Sequence, residues 1–239
     1  MTFLVPPRRF NPETPELMDV PNPDPRILSQ DHGNLRIINK YFGGLRAVRQ
    51  HVGGLLSKME DHKPVRILDL ATGSADQPIS LVTMARKLGR PIEITAIERS
   101  PLTLSIARDR TKQFPEIRLE QGDVRSIHYS PGSFDIALCS LAIHHFSRED
   151  AVRILRTMNE VSRVGFVVND LDRSWPAAWT AWIYTHLTTR NPMTLNDSYV
   201  SVLRAFTPEE LQGMARDSGV RDSHIFRHPM FRLVLVAEH

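Results

Sequence analysis

Three carboxylates stand where short apolar runs give way to turns: Asp69 in ILDLATGSADQP, Glu98 in IEITAIERS and Asp123 in IRLEQGD. A carboxylate at a strand end can accept two hydroxyl hydrogen bonds, which suits Glu98 to a ribose diol. The first run enters a small-residue turn, Ala71 to Ala75, with Gly73 at its centre. A dinucleotide turn reads G-x-G-x-x-G/A, and its third small position falls here on Asp76. A carboxylate at that helix start opposes a pyrophosphate and occupies the dipole's anion site itself. The turn therefore disfavours a nicotinamide oxidoreductase and favours a phosphate-free ligand whose cationic groups lie near Asp69 and Asp76. Alanine disfavours positive φ, so Ala71 and Ala75 are expected at ordinary backbone angles. A second chemistry stands in CSLAIHHFSRED. With an unperturbed pKa near 6.5, His145 or His144 can remove a proton from a phenolic or enolic acceptor; the alternative is that HHF only starts a helix. Two adjacent histidines without further ligands at matching spacing are not a metal signal, and no metal is expected.

The elements that must position these groups alternate. VRILDLA, IEITAIE, IRLEQGD, FDIALCSLAI and VGFVVND read as strands, with helices ISLVTMARKLG, PLTLSIARDRTKQF and REDAVRILRTMNEVS between them. Apolar strands alternating with helices predict a parallel sheet covered on both faces. The capped helix TPEELQGMARDSG then precedes SHIFRHP and FRLVLVAEH, an antiparallel hairpin at the sheet's edge. The whole is an α/β, Rossmann-like, seven-stranded, mostly parallel sheet. Ahead of it, residues 1–26 form a proline-rich arm, and residues 27–60 read as helices interrupted at Gly43-Gly44 and Gly53-Gly54. The main domain is expected over 61–239.

Read as D-x-G-x-G-x-G, the stretch Asp69-Leu70-Ala71-Thr72-Gly73-Ser74-Ala75 keeps the acidic start and central glycine, with alanine at the other two glycine positions. With FDIALCSLAIHHF and VVNDLDRS it resembles the class I S-adenosylmethionine-dependent methyltransferases from roughly Asn34 onward. The branch with quinone-biosynthesis and polyketide-synthase-associated small-molecule enzymes is the most similar. The resemblance implies S-adenosylmethionine as cofactor, with S-adenosylhomocysteine as product. It implies binding by Asp69, Ala71, Gly73, Asp76 and Glu98, with Asp123 on the adenine amine, Arg99 and Val124 beside the ring, and Ser140 beside the methionine moiety. It also places a substrate-specific insertion at 172–205.

The insertion opens on NDLDRSWPAAWTAWIYTH. Asp170, Asp172 and Arg173 either orient a substrate or form a salt-bridged turn. Trp175, Trp179, Trp182 and His186 share one helical face, which reads as core, as a homodimer contact, or as the wall of an acceptor pocket. Its apolar content favours a small aromatic, quinone-like or polyketide-type acceptor, with O-methylation ahead of C-methylation. The competing expectation is a non-catalytic S-adenosylmethionine-binding partner subunit of a biosynthetic enzyme.

Composition narrows the classes. The 239 residues are 41% hydrophobic and 24% charged, an ordinary globular balance, and the net charge of +3 comes without a lysine/arginine block. Nucleic acid is therefore disfavoured as a partner. No apolar run approaches the roughly 20 residues of a membrane span, and a cytoplasmic protein is expected. The single cysteine, Cys139, lies in an apolar run and reads as a core thiol.

Overall fold

The computed structural model describes residues 4–60 and 63–239. Strands β1 (Val65–Leu70), β2 (Ile92–Glu98), β3 (Ile117–Gln121), β4 (Phe134–Ser140), β5 (Ser162–Leu171), β6 (Ser223–His228) and β7 (Arg232–Glu238) form one sheet. Their order is β3-β2-β1-β4-β5-β7-β6. The first five run parallel, and β7 enters antiparallel between β5 and β6. Strand order reverses between β1 and β4, so the crevice above their carboxyl ends is the place for a ligand.

Side-chain alternation sorts the core onto two faces. Leu68, Leu70, Ala137 and Cys139 pack under α5 (Arg148–Val161) and α8 (Pro208–Asp217). Ile67, Ile136 and Leu138 pack under α2 (Gly44–Leu56) and α3 (Asp76–Lys87). Cys139 is buried, and burial pushes its thiol well above the ordinary value, as a core thiol requires. Helix starts follow from local chemistry. Ser100 caps α4 (Pro101–Thr111), with proline at the first position, and Thr207 and Glu210 close a reciprocal capping box on α8.

The N-terminal region departs from expectation in one place. Gly43, at φ 80, separates α1 (Pro25–Tyr41) from α2, whereas Gly53-Gly54 lies inside α2. Buried Val48, Val52, Leu55 and Leu56 recur at helical spacing around the second pair, so packing outweighs the glycine penalty there. Of these two helices, α1 lines the cavity above the sheet and α2 belongs to the core beneath it. Residues 172–205, where an insertion is expected, hold α6 (Trp175–Thr188) and α7 (Pro192–Arg204). Among the described residues, no helix is long and apolar enough to cross a membrane.

Candidate active site

The turn after β1 is wound left-handed at three positions: Ala71 (φ 54), Gly73 (φ 57) and Ala75 (φ 63). This corrects the expectation of ordinary angles for the two alanines. Backbone hydrogen bonds hold the conformation, with Thr72 donating to the Ile97 carbonyl at 2.8 Å and Ala75 to the Thr72 carbonyl at 3.0 Å. A left-handed alanine costs about 1–2 kcal/mol. Glycine would relieve that, at about 0.4–1 kcal/mol of extra unfolded-state entropy. Ala71→Gly is therefore expected to stabilise the protein modestly, raising the urea midpoint at unchanged m. A lowered midpoint would instead show that the Ala71 methyl contributes packing worth more than the strain.

Two acidic residues of the turn are placed differently from the sequence reading. Asp69 is 2% exposed and lies beneath the turn, outside the cavity wall. Burial lifts its carboxyl to about 7, and the Glu98 charge adds to the rise. Asp76 does line the cavity, but its carboxylate is held by Arg110, which also donates to Ser74 Oγ at 2.7 Å. The charge attributed to Asp76 is thus balanced within the protein, and Asp76 is not a free counter-charge for a cationic ligand. His32 of α1, which sequence reading missed, sits over Gly73 and meets Thr103 Oγ1 at 3.2 Å; burial holds it neutral, down to about 4.

Glu98 is built to hold a polar ligand. Gly73 N–H donates to its Oε2 at 3.0 Å and Ser100 N–H to its Oε1 at 2.8 Å, so one backbone bond orients each oxygen and lone pairs remain on both. Arg99, Asp123 and Val124 share this part of the cavity wall. Asp123 is paired with Arg125, whose Nε lies 3.0 Å from Oδ1, and this pairing lowers its pKa. Ser140 Oγ accepts from Gln77 Nε2 at 3.1 Å and from Asn169 Nδ2 at 2.8 Å, which leaves its hydroxyl proton to donate elsewhere. Gln77 Oε1 is buried without a donor, and Gln77 lines the same cavity. An ammonium group would satisfy it, as a diol would satisfy Glu98, so these residues fit S-adenosylmethionine.

Beyond β4, the 3-10 turn Ile143–His145 carries both histidines. His144 is 2% exposed and meets Asp170 Oδ1 through Nδ1 at 2.6 Å. His145 meets Asp19 Oδ2 through Nδ1, also at 2.6 Å. A carboxylate on each Nδ1 selects the Nδ1–H tautomer and leaves Nε2 facing inward. Both Nε2 atoms face Glu16, at 3.8 Å from His144 and 3.9 Å from His145. Burial alone would lower the His145 pKa, but Glu16, the hydrogen bond to Asp19 and the charges of Asp19 and Asp170 raise it to about 9. The ligating atoms of Glu16, His144 and His145 all lie within 4.8 Å of one another, a third partner that the HHF spacing did not reveal. Arg204 Nη1 also lies 3.6 Å from Glu16, so a cation and two imidazoles share this carboxylate.

Glu16 and Asp19 come from the proline-rich arm, which is fastened over the site. Arg8 stacks on Phe206 at 3.8 Å and donates to the Phe146 carbonyl at 2.7 Å and the Arg204 carbonyl at 2.7 Å. Leu17 and Met18 N–H donate to the two oxygens of Asp197 at 2.8 and 2.9 Å. The cavity measures about 710 Å³, and its wall includes Glu98, Asp123, Tyr184 and Phe231.

The substrate residues expected from the fifth strand and the insertion are not on its wall. Asp170 is buried against His144, and Arg173 donates to Glu210 at 2.7 Å and to the Ala205 carbonyl at 3.0 Å. Trp175 packs on the α6–α7 cluster, and Trp179 is 57% exposed. The opposite face of α6 lines the cavity, with Ala177, Ala181 and Tyr184. Because α6 is apolar all round, periodicity offered no way to choose between its faces.

A sheet in this order, with its ligand crevice over the β1–β4 switch point, defines the class I methyltransferase fold. Residues 67–165 match the family described as a methyltransferase domain. The demethylmenaquinone methyltransferase of Deinococcus radiodurans is 35% identical over 88 residues, spanning 36% of this chain and 34% of that protein's length. The methyltransferase domain of the citrinin polyketide synthase superposes at a TM-score of 0.63 with 13% identity, over 81% of this chain and 52% of that one. The magnesium protoporphyrin IX methyltransferase of Synechocystis, solved with bound S-adenosylhomocysteine, gives 0.57 with 12% identity, over 82% of this chain and 84% of that one.

Proposed function

We propose that the protein transfers a methyl group to an acidic hydroxyl of a small aromatic, quinone-like or polyketide-type acceptor in the cytoplasm. One observation carries this reading: one continuous cavity is lined by the Glu98 strand end, by α1, α6, α7 and the arm, and by His145. A chamber of this size, largely apolar and walled in part by the arm, suits a small molecule in preference to a nucleic acid.

Bound S-adenosylmethionine supplies the electrophilic methyl. Glu98 accepts the diol, Gln77 accepts from the ammonium, and Ser140 is free to donate. His145 takes the acceptor's hydroxyl proton on Nε2, while Asp19 holds Nδ1 and stabilises the imidazolium so formed. Glu16, beside both Nε2 atoms, favours the charged product of that transfer. The binding half is tested by calorimetric titration with S-adenosylhomocysteine and, separately, NADH. The chemical half is tested by turnover on phenols and hydroxyquinones. Micromolar binding of the homocysteine compound with turnover supports the reading; tight NADH binding instead overturns it.

A further inference from the structure

Resting on the small-acceptor reading, the geometry points to Arg232 as a subsite for a carboxylate on the acceptor, at the end of the cavity away from the cofactor turn. Arg232 opens β7, paired with Leu171 of β5 and His228 of β6. It is 2% exposed and lines the cavity beside Phe42, Tyr184 and Phe231. Its Nε and Nη1 have no hydrogen-bond partner, and its Nη2 reaches only the neutral Asn39 amide oxygen, at 3.4 Å. Among the described residues no carboxylate lies within ion-pair distance of it. Arg173, also buried, shows how this protein treats a structural arginine: it is matched by Glu210 at 2.7 Å. Asp170, the acidic group that acts on Arg232, is already committed to His144.

Burial lowers the Arg232 pKa to about 10, so the guanidinium remains charged at neutral pH. A buried cation with two idle donors is costly, and the cost is offset when an anion with matching planar geometry enters. The backbone holds the group in place. The hairpin turn puts Met230 (φ 60) and Phe231 (φ 57) in the left-handed region, where bulky side chains are strained, and Asp172 N–H pins the Phe231 carbonyl at 2.9 Å. Strand β7 stands two places from β4, roughly 10 Å across the sheet, which is the span of a substituted aromatic ring. An acceptor with its carboxylate on Arg232 thus directs its other end toward the His145 side of the cavity.

The test uses the full chain saturated with S-adenosylhomocysteine. A set of hydroxyaryl carboxylates, including 3-(4-hydroxyphenyl)propanoate, is titrated calorimetrically, each against its own methyl ester. At least one carboxylate is expected to bind tenfold or more tightly than its ester, and Arg232→Met is expected to erase the difference while S-adenosylhomocysteine binding persists. Without ligand, the melting temperature of Arg232→Met should equal or exceed that of the parent, because an unmatched buried charge is removed; Arg232→Gln serves as a second variant if the first does not fold. No carboxylate preference in any pair, or a preference that survives the substitution, overturns the assignment and leaves the methyltransferase reading intact. Failure of the parent to bind S-adenosylhomocysteine would instead count against the parent reading.

Discussion

Replacing His145 with alanine is expected to lower kcat by about 10²- to 10⁴-fold, the range for losing a positioned general base, while S-adenosylhomocysteine affinity changes little. The reason is its place beyond β4 in the cavity wall, with Asp19 on one nitrogen and Glu16 3.9 Å from the other. Because the ring titrates at about 9, it is mostly protonated at neutral pH, and a base must first lose that proton. The kcat/KM of the parent should therefore climb as pH rises toward 9, and that limb should vanish in His145→Ala. Stability should move the other way. The folded value lies above the unfolded one near 6.5, so the stabilisation from the charged ring is complete below about 6.5 and is lost as pH rises through about 9. Melting temperatures measured across that window should fall in the parent more than in His145→Ala. An alanine variant with an unchanged pH–rate profile would remove His145 from the chemistry.

The second large effect concerns Glu98. Hydrogen bonds to a charged acceptor contribute about 1.5–3 kcal/mol each, so Glu98→Ala should weaken S-adenosylhomocysteine binding by at least about tenfold. Part of the loss is indirect, because the carboxylate also anchors Gly73 N–H and Ser100 N–H. Glu98→Gln separates the two contributions: its amide oxygen keeps one acceptor, so it should bind between the parent and the alanine variant. Equal affinity in all three proteins would mean that the diol is held elsewhere.

The parallel strands were legible because their apolar runs are bounded by polar turns, and the helices because serine, threonine and proline mark their starts. The strand-end carboxylates were legible as positions, but their partners were not. Arg110 reaches Asp76 from α4 and Arg125 turns back onto Asp123, and no local pattern announces either pairing. The left-handed alanines contradict a local propensity because the bonds around the turn over-determine it. Glu16 and Asp19 were the largest omission. They lie in PETPELMD, where prolines abolish any periodicity, and only tertiary contacts show that Glu16 is 1% exposed. The readable signal was the pair of acids flanking Leu17 and Met18 within an otherwise proline-rich arm.

The arm has a consequence for how His145, as the proposed base, is reset. Both carboxylates that raise the proton affinity of His145 most, Glu16 and Asp19, belong to the segment that roofs the cavity. Lid and proton trap are one object. Displacing the arm would remove the two charges that do most to raise the imidazole's proton affinity, so opening the chamber and lowering that affinity are coupled.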